Sequence, residues 1–310
     1  IFSFSRIWDA ISDPLAGYLS DRTSGLLGRR RTWILASLIP IALGFYAVFA
    51  PPACLEQEDL NLWMAIAILG FYSAMTLFFV PHMALGAELS DDYHERSQLF
   101  GLRHIFYTLG SILSLISMYL LIREEGLSDG DVRGLAKQLA LIAVIIMTLL
   151  VVYAVCVLRE RAEFQGRASG SPFKAFQDIW HNDHARLLIV VSFIEHVGSA
   201  AIAALTLYVA QYVIGAALWA PAIILAFMLP SSLSVPLWLP LSRRFGKIRI
   251  WGASMCITGI SFGLMFFLPF LGSVEEKLAL ILTLAVFAGL AHGCGGTIGP
   301  SIQGDVIDYD

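Results

Sequence analysis

Residues 1–22 read IFSFSRIWDAISDPLAGYLSDR, and the reading of this stretch decides the fold. A helix through it places Arg6, Asp9 and Asp13 at i, i+3 and i+7, on one face. Residues 1–20 are otherwise apolar and long enough to cross a bilayer, which takes about 20 residues. Charges inside a membrane cost several kcal/mol, so these three line a polar cavity or pair with one another. Eight further apolar runs follow, at 32–50, 62–87, 100–122, 137–158, 187–213, 218–241, 249–271 and 278–302. The expectation is an all-α membrane protein with nine transmembrane helices.

Composition agrees. Of 310 residues, 57% are hydrophobic and 14% charged, against roughly 45–50% and about 25% in a soluble domain. That hydrophobicity excludes intrinsic disorder. A net charge of −4 leaves no basic footprint for nucleic acid. Ten-residue alternating strands, the mark of an outer-membrane barrel, are absent, and no signal peptide opens the chain. Cys54, Cys156, Cys256 and Cys294 stand too far apart for a metal or disulfide motif. No nucleophile–base–acid spacing or phosphate loop appears, so the reading is not an enzyme and needs no cofactor.

Basic residues alternate between loops. Loops 21–31, 88–99, 159–186 and 242–249 hold 14 Lys and Arg, and the opposite side holds four. By the positive-inside rule the 14-residue side is cytoplasmic. Ser20-Asp21-Arg22 leading to Gly28-Arg29-Arg30-Arg31-Thr32-Trp33 is echoed by Ser242-Arg243-Arg244 leading to Gly246-Lys247-Ile248-Arg249-Ile250-Trp251. That spacing suits two six-helix halves. The expected organisation is therefore an N-terminal bundle at 1–158, a central cytoplasmic loop at 159–186 and a C-terminal bundle at 187–310.

The loop from Gly17 to Arg31 resembles the cytoplasmic loop between helices 2 and 3 of the major facilitator superfamily. Arg6-Ile7-Trp8-Asp9-Ala10-Ile11-Ser12-Asp13-Pro14-Leu15-Ala16-Gly17 resembles helix 2 of its glycoside–pentoside–hexuronide:cation symporters, the melibiose permease family. Glu95-Arg96 with Leu99 and Arg103 resembles that family's entry to helix 5, and Asp305-Val306-Ile307-Asp308-Tyr309-Asp310 the segment after helix 10. The resemblance numbers the nine spans as helices 2–10, with helices 1, 11 and 12 missing. It implies a monomeric secondary transporter of a bacterial inner or plasma membrane. Such a carrier takes up a sugar or related solute with Na+ or H+ by alternating access. Sodium-dependent lysolipid carriers share the helix 2 pattern, so a lysolipid or amphipathic solute is the alternative, with a non-transporting receptor or scaffold as the third reading.

Two carboxylates one turn apart form a hard oxygen site that a single arginine cannot neutralise. The resemblance implies cation binding at Asp9 and Asp13, with hydroxyl oxygens from Ser12 and Thr76. Ser12 stands where melibiose permease has Asn. Phe79, two before Pro81, stands where that permease has an acidic sugar-binding residue, and Met83 replaces a sugar-stacking aromatic. The expected substrate residues are Arg6, Arg103, Glu195 and His196. Arg103 reads equally as an interfacial arginine, and Glu195-His196 as a polar pair between helices or a proton site. Asp21, Arg22, Arg29, Arg30, Arg31, Arg96, Asp305 and Asp308 are the expected gate residues, although arginines in these loops also set topology.

Overall fold

The computed structural model describes residues 2–308 except 24, 26, 53, 91, 124–128 and 161–179. The side chains of Arg6 and Asp308 and most of the central loop lie outside the described residues. Among the described residues all regular structure is helical. The helices are α1 (Phe2–Arg22), α2 (Arg29–Ala36), α3 (Leu38–Phe49), α4 (Gln57–Glu88), α5 (Tyr93–Arg123), α6 (Asp129–Val157), α7 (Asp183–Tyr208), α8 (Ala220–Leu233), α9 (Val235–Phe245), α10 (Lys247–Leu264) and α11 (Val274–Asp308).

Nine crossings were expected. Among the described residues, seven helices are long and apolar enough to span a membrane, or eight when α8 and α9 count as one bent span. The physical reasons are local. At 1.5 Å per residue α1 reaches about 31 Å, but it carries Arg6, Asp9 and Asp13 within one stretch. The run 218–241 breaks at Ser234, with a bend of 48° between α8 and α9. Pro230 and Pro236 flank the break, and neither has an N–H to donate to the preceding turn. The run 187–213 leaves α-geometry at Tyr208 and finishes as a π-helical turn, Val209–Ile214. Gly215, at φ 78°, closes that turn, and Lys277 Nζ donates to the Val213 carbonyl at 3.0 Å.

Large side chains remain exposed along the spans, among them Leu113, Leu149, Phe193, Ile248 and Phe270. In water this surface would be prohibitive; in a bilayer it is the solvated face.

The chain divides into two compact units. The first holds residues 1–89 and 117–178. In it α1 runs parallel to α4: Trp8 Nε1 donates to Ser73 Oγ (2.8 Å), Ser12 meets Thr76, and Gly17 lies against Val80. The antiparallel α3 crosses α4 closely at Gly44, where a Cβ would stand 2.9 Å from the Phe71 Cα. Ile34, Leu38, Leu85, Val151 and Val155 form the core joining α2, α3, α4 and α6.

The second unit holds residues 90–116 and 179–310, so the first part of α5 clusters with α7–α11. Parallel α8 and α11 make its closest seam, because Gly289 and Gly293 let the Phe227 and Ser231 carbonyls into space a Cβ would fill. Trp238, Ile250, Trp251, Cys294, Ile298 and Ile302 pack one core, and Ala210, Ile214, Ile223, Leu268, Ile281 and Ala285 the other.

Candidate functional site

In the first unit the packing of α1 on α4 brings two of the expected cation residues together. Ser12 Oγ lies 3.4 Å from Thr76 Oγ1, and Thr76 is buried. Asp9 is half-buried with Oδ1 shielded from solvent, and Asp13, one turn on, is exposed. Asp9 and Asp13 thus flank Ser12 on α1, and Ser12 is the residue whose hydroxyl meets α4. Among the described residues no group of three His, Cys, Asp or Glu could hold a metal ion. One turn beyond Thr76, the Phe79 ring is 45% exposed. The aromatic side chain therefore sits beside Thr76, on the same helix.

Three of the expected substrate residues, Arg103, Glu195 and His196, fall in the second unit. Arg103 is half-buried on α5. Glu195 and His196 are neighbours on α7 but meet different surroundings. Glu195 Oε1 lies against Gly295, where a Cβ would come within 2.9 Å, with Trp251 Nε1 nearby. His196 Nδ1 lies 2.7 Å from the Ser192 carbonyl and borders an open, mostly apolar cavity of about 370 Å³. Leu188, Ile189, Phe193 and Gln303 complete its wall with Ser192.

The expected gate residues form two networks, one in each unit. In the first, Arg30 Nη1 meets Asp21 Oδ1 at 2.5 Å and donates to Ser20 Oγ at 2.9 Å. Glu88 Oε1, at the end of α4, accepts from Arg29 Nη2 (2.8 Å) and Arg30 Nη2 (3.2 Å). Arg29 and Arg30 are both buried. Glu160 accepts the backbone N–H groups of Arg29 (2.7 Å) and Arg31 (2.6 Å), capping the N-terminus of α2. Gly28 makes room for that cap: its φ is 107°, and a Cβ there would stand 2.6 Å from the Glu160 carboxylate. Arg31 donates to the Val155 carbonyl, while Arg22 stacks on Tyr18 at 4.4 Å and stays out of the network.

The second network joins α5, α10 and α11. Asp305 takes Arg96 Nη1 on Oδ1 (3.1 Å) and Lys247 Nζ on Oδ2 (2.7 Å). Lys247 is 1% exposed; its ammonium also donates to Ser301 Oγ (2.7 Å) and lies 3.2 Å from the Tyr93 ring centroid. Burying two cations on one carboxylate is tolerable because every face of the ammonium meets an acceptor or an aromatic face. Outside the span, Asp92 caps α5. Its Oδ1 accepts from the N–H groups of Glu95 and His94, which hold its carboxyl below the usual value of 3.8.

Glu88, Glu160, Lys247 and Tyr93 were missed from sequence. Glu88 and Glu160 had one available signal, an acid at the end of an apolar run facing an arginine-rich loop. Nothing in the sequence paired Lys247 with a tyrosine 154 positions earlier.

A model of the family described as "MFS/sugar transport protein" matches residues 1–310. A Synechocystis symporter is 40% identical over 135 residues, covering 42% of this chain and 24% of its own length. The inner membrane symporter YicJ of Escherichia coli is 25% identical over all of this chain and 65% of its own length. The sodium-dependent lysophosphatidylcholine symporter 1 of Xenopus tropicalis is 25% identical over 98% of this chain and 62% of its own. The chain thus spans less than two thirds of these curated relatives. The E. coli fucose:proton symporter FucP shares the fold, with a TM-score of 0.64 over 96% of this chain and 79% of its own at 15% identity.

Proposed function

The chain belongs to the MFS/sugar transport protein family, and from that premise we propose that it is a cation-coupled carrier of an amphipathic, lysolipid-like solute, working by alternating access. Asp9 and Asp13 hold the coupling cation, with Ser12 and Thr76 supplying hydroxyl oxygens. Within the family the resemblance of residues 6–17 to helix 2 of the glycoside–pentoside–hexuronide:cation symporters supports membership of that group. Cation and solute then raise one another's affinity by the same factor, as linkage requires.

The observation that carries the solute class is Phe79. Its exposed ring stands one turn from Thr76, where melibiose permease places a sugar-binding acid. A phenyl ring accepts no hydrogen bond from sugar hydroxyls but packs well against an acyl chain. The lysophosphatidylcholine symporters aligned over nearly the whole chain support the same reading, as does the apolar cavity beside His196. Arg103, Glu195 and His196 then serve the polar head of the solute.

The second reading, sugar symport, is favoured by Trp8, 42% exposed on the same helix as Asp9 and oriented by its bond to Ser73. An exposed indole face is a surface on which a sugar ring packs.

The Asp21–Arg30–Glu88 and Arg96–Asp305–Lys247 networks act as gates at the ends of their helices. Loops 21–31, 88–99, 159–186 and 242–249 face the cytoplasm of a plasma membrane. The test is uptake by the full-length protein in proteoliposomes, with labelled lysophosphatidylcholine and a panel of sugars under separate Na+ and pH gradients. Sodium- or proton-driven lysophosphatidylcholine uptake is expected; uptake restricted to sugars overturns the solute assignment, and no driven uptake at all overturns the carrier reading.

A further inference from the structure

The second unit sets a buried imidazole against a half-buried one. His104, on α5, is 8% exposed, and His292 comes from α11. Their ring centroids are 5.9 Å apart with the planes at 62°. His104 Nε2 lies 2.8 Å from Ser231 Oγ, at the last turn of α8 before the break at Ser234. On its other side the ring fills the space over Gly296, where any Cβ would collide with Nδ1. The His292 ring packs on Phe227, 5.1 Å between centroids. The glycine seam is what creates the pair. Gly289 and Gly293 draw α11 onto α8, and Gly296 admits the His104 ring.

The surroundings are polar for a membrane interior. Ser231, Ser232, Ser234 and Thr297 are all buried, and neither Ser232 Oγ nor Thr297 Oγ1 has a hydrogen-bond partner. Such hydroxyls are costly to bury unless they serve a polar occupant. Of the charged and titratable groups around the pair, Arg103 on α5 bears on His104 and His196 on α7 bears on His292, while Tyr107 bears on Arg103 and Glu195 on Cys294. Arg103 and His196 act on the two rings themselves, whereas Glu195 is turned to Gly295 and Trp251. No third His, Cys, Asp or Glu joins the two imidazoles among the described residues, so the donor set does not suit a divalent metal.

We propose that His104 and His292 form a proton-binding site, separate from the Asp9/Asp13 cation site, that takes a single proton, on one ring or the other, beside the α8–α9 break. Ser231 Oγ accepts from a protonated His104, and the Phe227 face supports a protonated His292. Coulomb repulsion at 5.9 Å opposes a second proton. The proton enters from water and returns to it, so no other reactant is needed. Proton binding stands on this geometry alone; its effect on transport rests on the carrier reading.

The test is histidine ring 15N NMR of the full-length protein in lipid nanodiscs, titrated from pH 4 to 8. His104→Gln and His292→Gln assign the two rings by difference. Coulomb's law at 5.9 Å gives a coupling of about 0.5 pH unit at a dielectric of 80 and about 2 units at 20. Each substitution is therefore expected to shift the other ring's midpoint by about 0.5–2 units, and Asp13→Asn to leave both midpoints in place. Ser231→Ala, which keeps both rings, is expected to shift His104 should a His→Gln variant fail to fold. Midpoints indifferent to the partner ring and to Ser231, or rings that stay neutral throughout, overturn the proposal. Lysophosphatidylcholine uptake between pH 5.5 and 8 is measured alongside, and a flattened pH profile is expected in His292→Gln. Should that solute not be carried at all, the solute reading fails while the NMR titration still decides the histidine pair.

Discussion

Removing the Glu160 carboxylate tests how the basic loop is held. Glu160 accepts two backbone N–H groups at the start of α2, at 2.7 and 2.6 Å. Loss of a cap costs about 0.5–2 kcal/mol, and a carboxylate at a helix N-terminus adds about 0.3–1 kcal/mol. Glu160→Ala should therefore ease local opening of the first turn of α2 by about 1–3 kcal/mol, or about 5- to 150-fold. Hydrogen exchange of the Arg29 and Arg31 amides in nanodiscs reads this directly. Glu160→Gln, which keeps an acceptor but loses the charge, should fall between. Gly28→Ala attacks the same contact from the other side, since its Cβ would stand 2.6 Å from the carboxylate at a φ of 107°. In the double variant the collision has no partner, so the two effects should be less than additive. Unchanged exchange in Glu160→Ala, or strict additivity with Gly28→Ala, would refute the capping argument.

Asp13→Asn should abolish cation-driven uptake by the full-length protein while leaving its melting temperature within a few degrees of wild type; uptake with wild-type sodium or proton dependence contradicts the cation assignment. Lys247→Met should lower stability by up to about 3 kcal/mol, less than the usual cost of breaking a buried ion pair because Arg96 still holds Asp305; thermal unfolding in detergent reads it, and an unchanged melting temperature contradicts the caged-ammonium reading. The Asp92 cap has a lowered carboxyl pKa, so its support of α5 is present above pH ~3.8 and is lost as pH falls through the lower folded-state value. Protection of the His94 and Glu95 amides, taken relative to intrinsic exchange at each pH, should fall over that acid range in wild type, with no such step in Asp92→Ala.

The helical membrane architecture was legible because the bilayer imposes it residue by residue. A run such as 137–158 must satisfy its backbone internally, so length and apolarity suffice to read α6. Of the nine runs, the one outside the count is the first, where Arg6, Asp9 and Asp13 interrupt α1; elsewhere the structure adds local geometry that hydropathy does not record. The run 218–241 reads as one crossing, yet it bends by 48° at Ser234, between Pro230 and Pro236. The run 187–213 counts as a crossing, and its last turn is π-helical.

The candidate site divides in the same way. Asp9, Ser12 and Asp13 could be grouped from one helix because their spacing alone puts them within a turn. Thr76 entered by resemblance, and only the packing of α1 along α4 brings it within 3.4 Å of Ser12. Asp21 and the arginines announced a charged loop, but their partners Glu88 and Glu160 lie 58 and 131 positions from the groups they bind. His104 and His292 are the extreme case, since neither carries a local motif and a glycine seam between α8 and α11 sets their contact. By itself the sequence determined that this is a helical membrane protein with paired carboxylates in its first span, because both properties follow from spacing along one helix. Tertiary structure alone decided which charges meet, since helix-to-helix contact depends on where small side chains let two backbones approach.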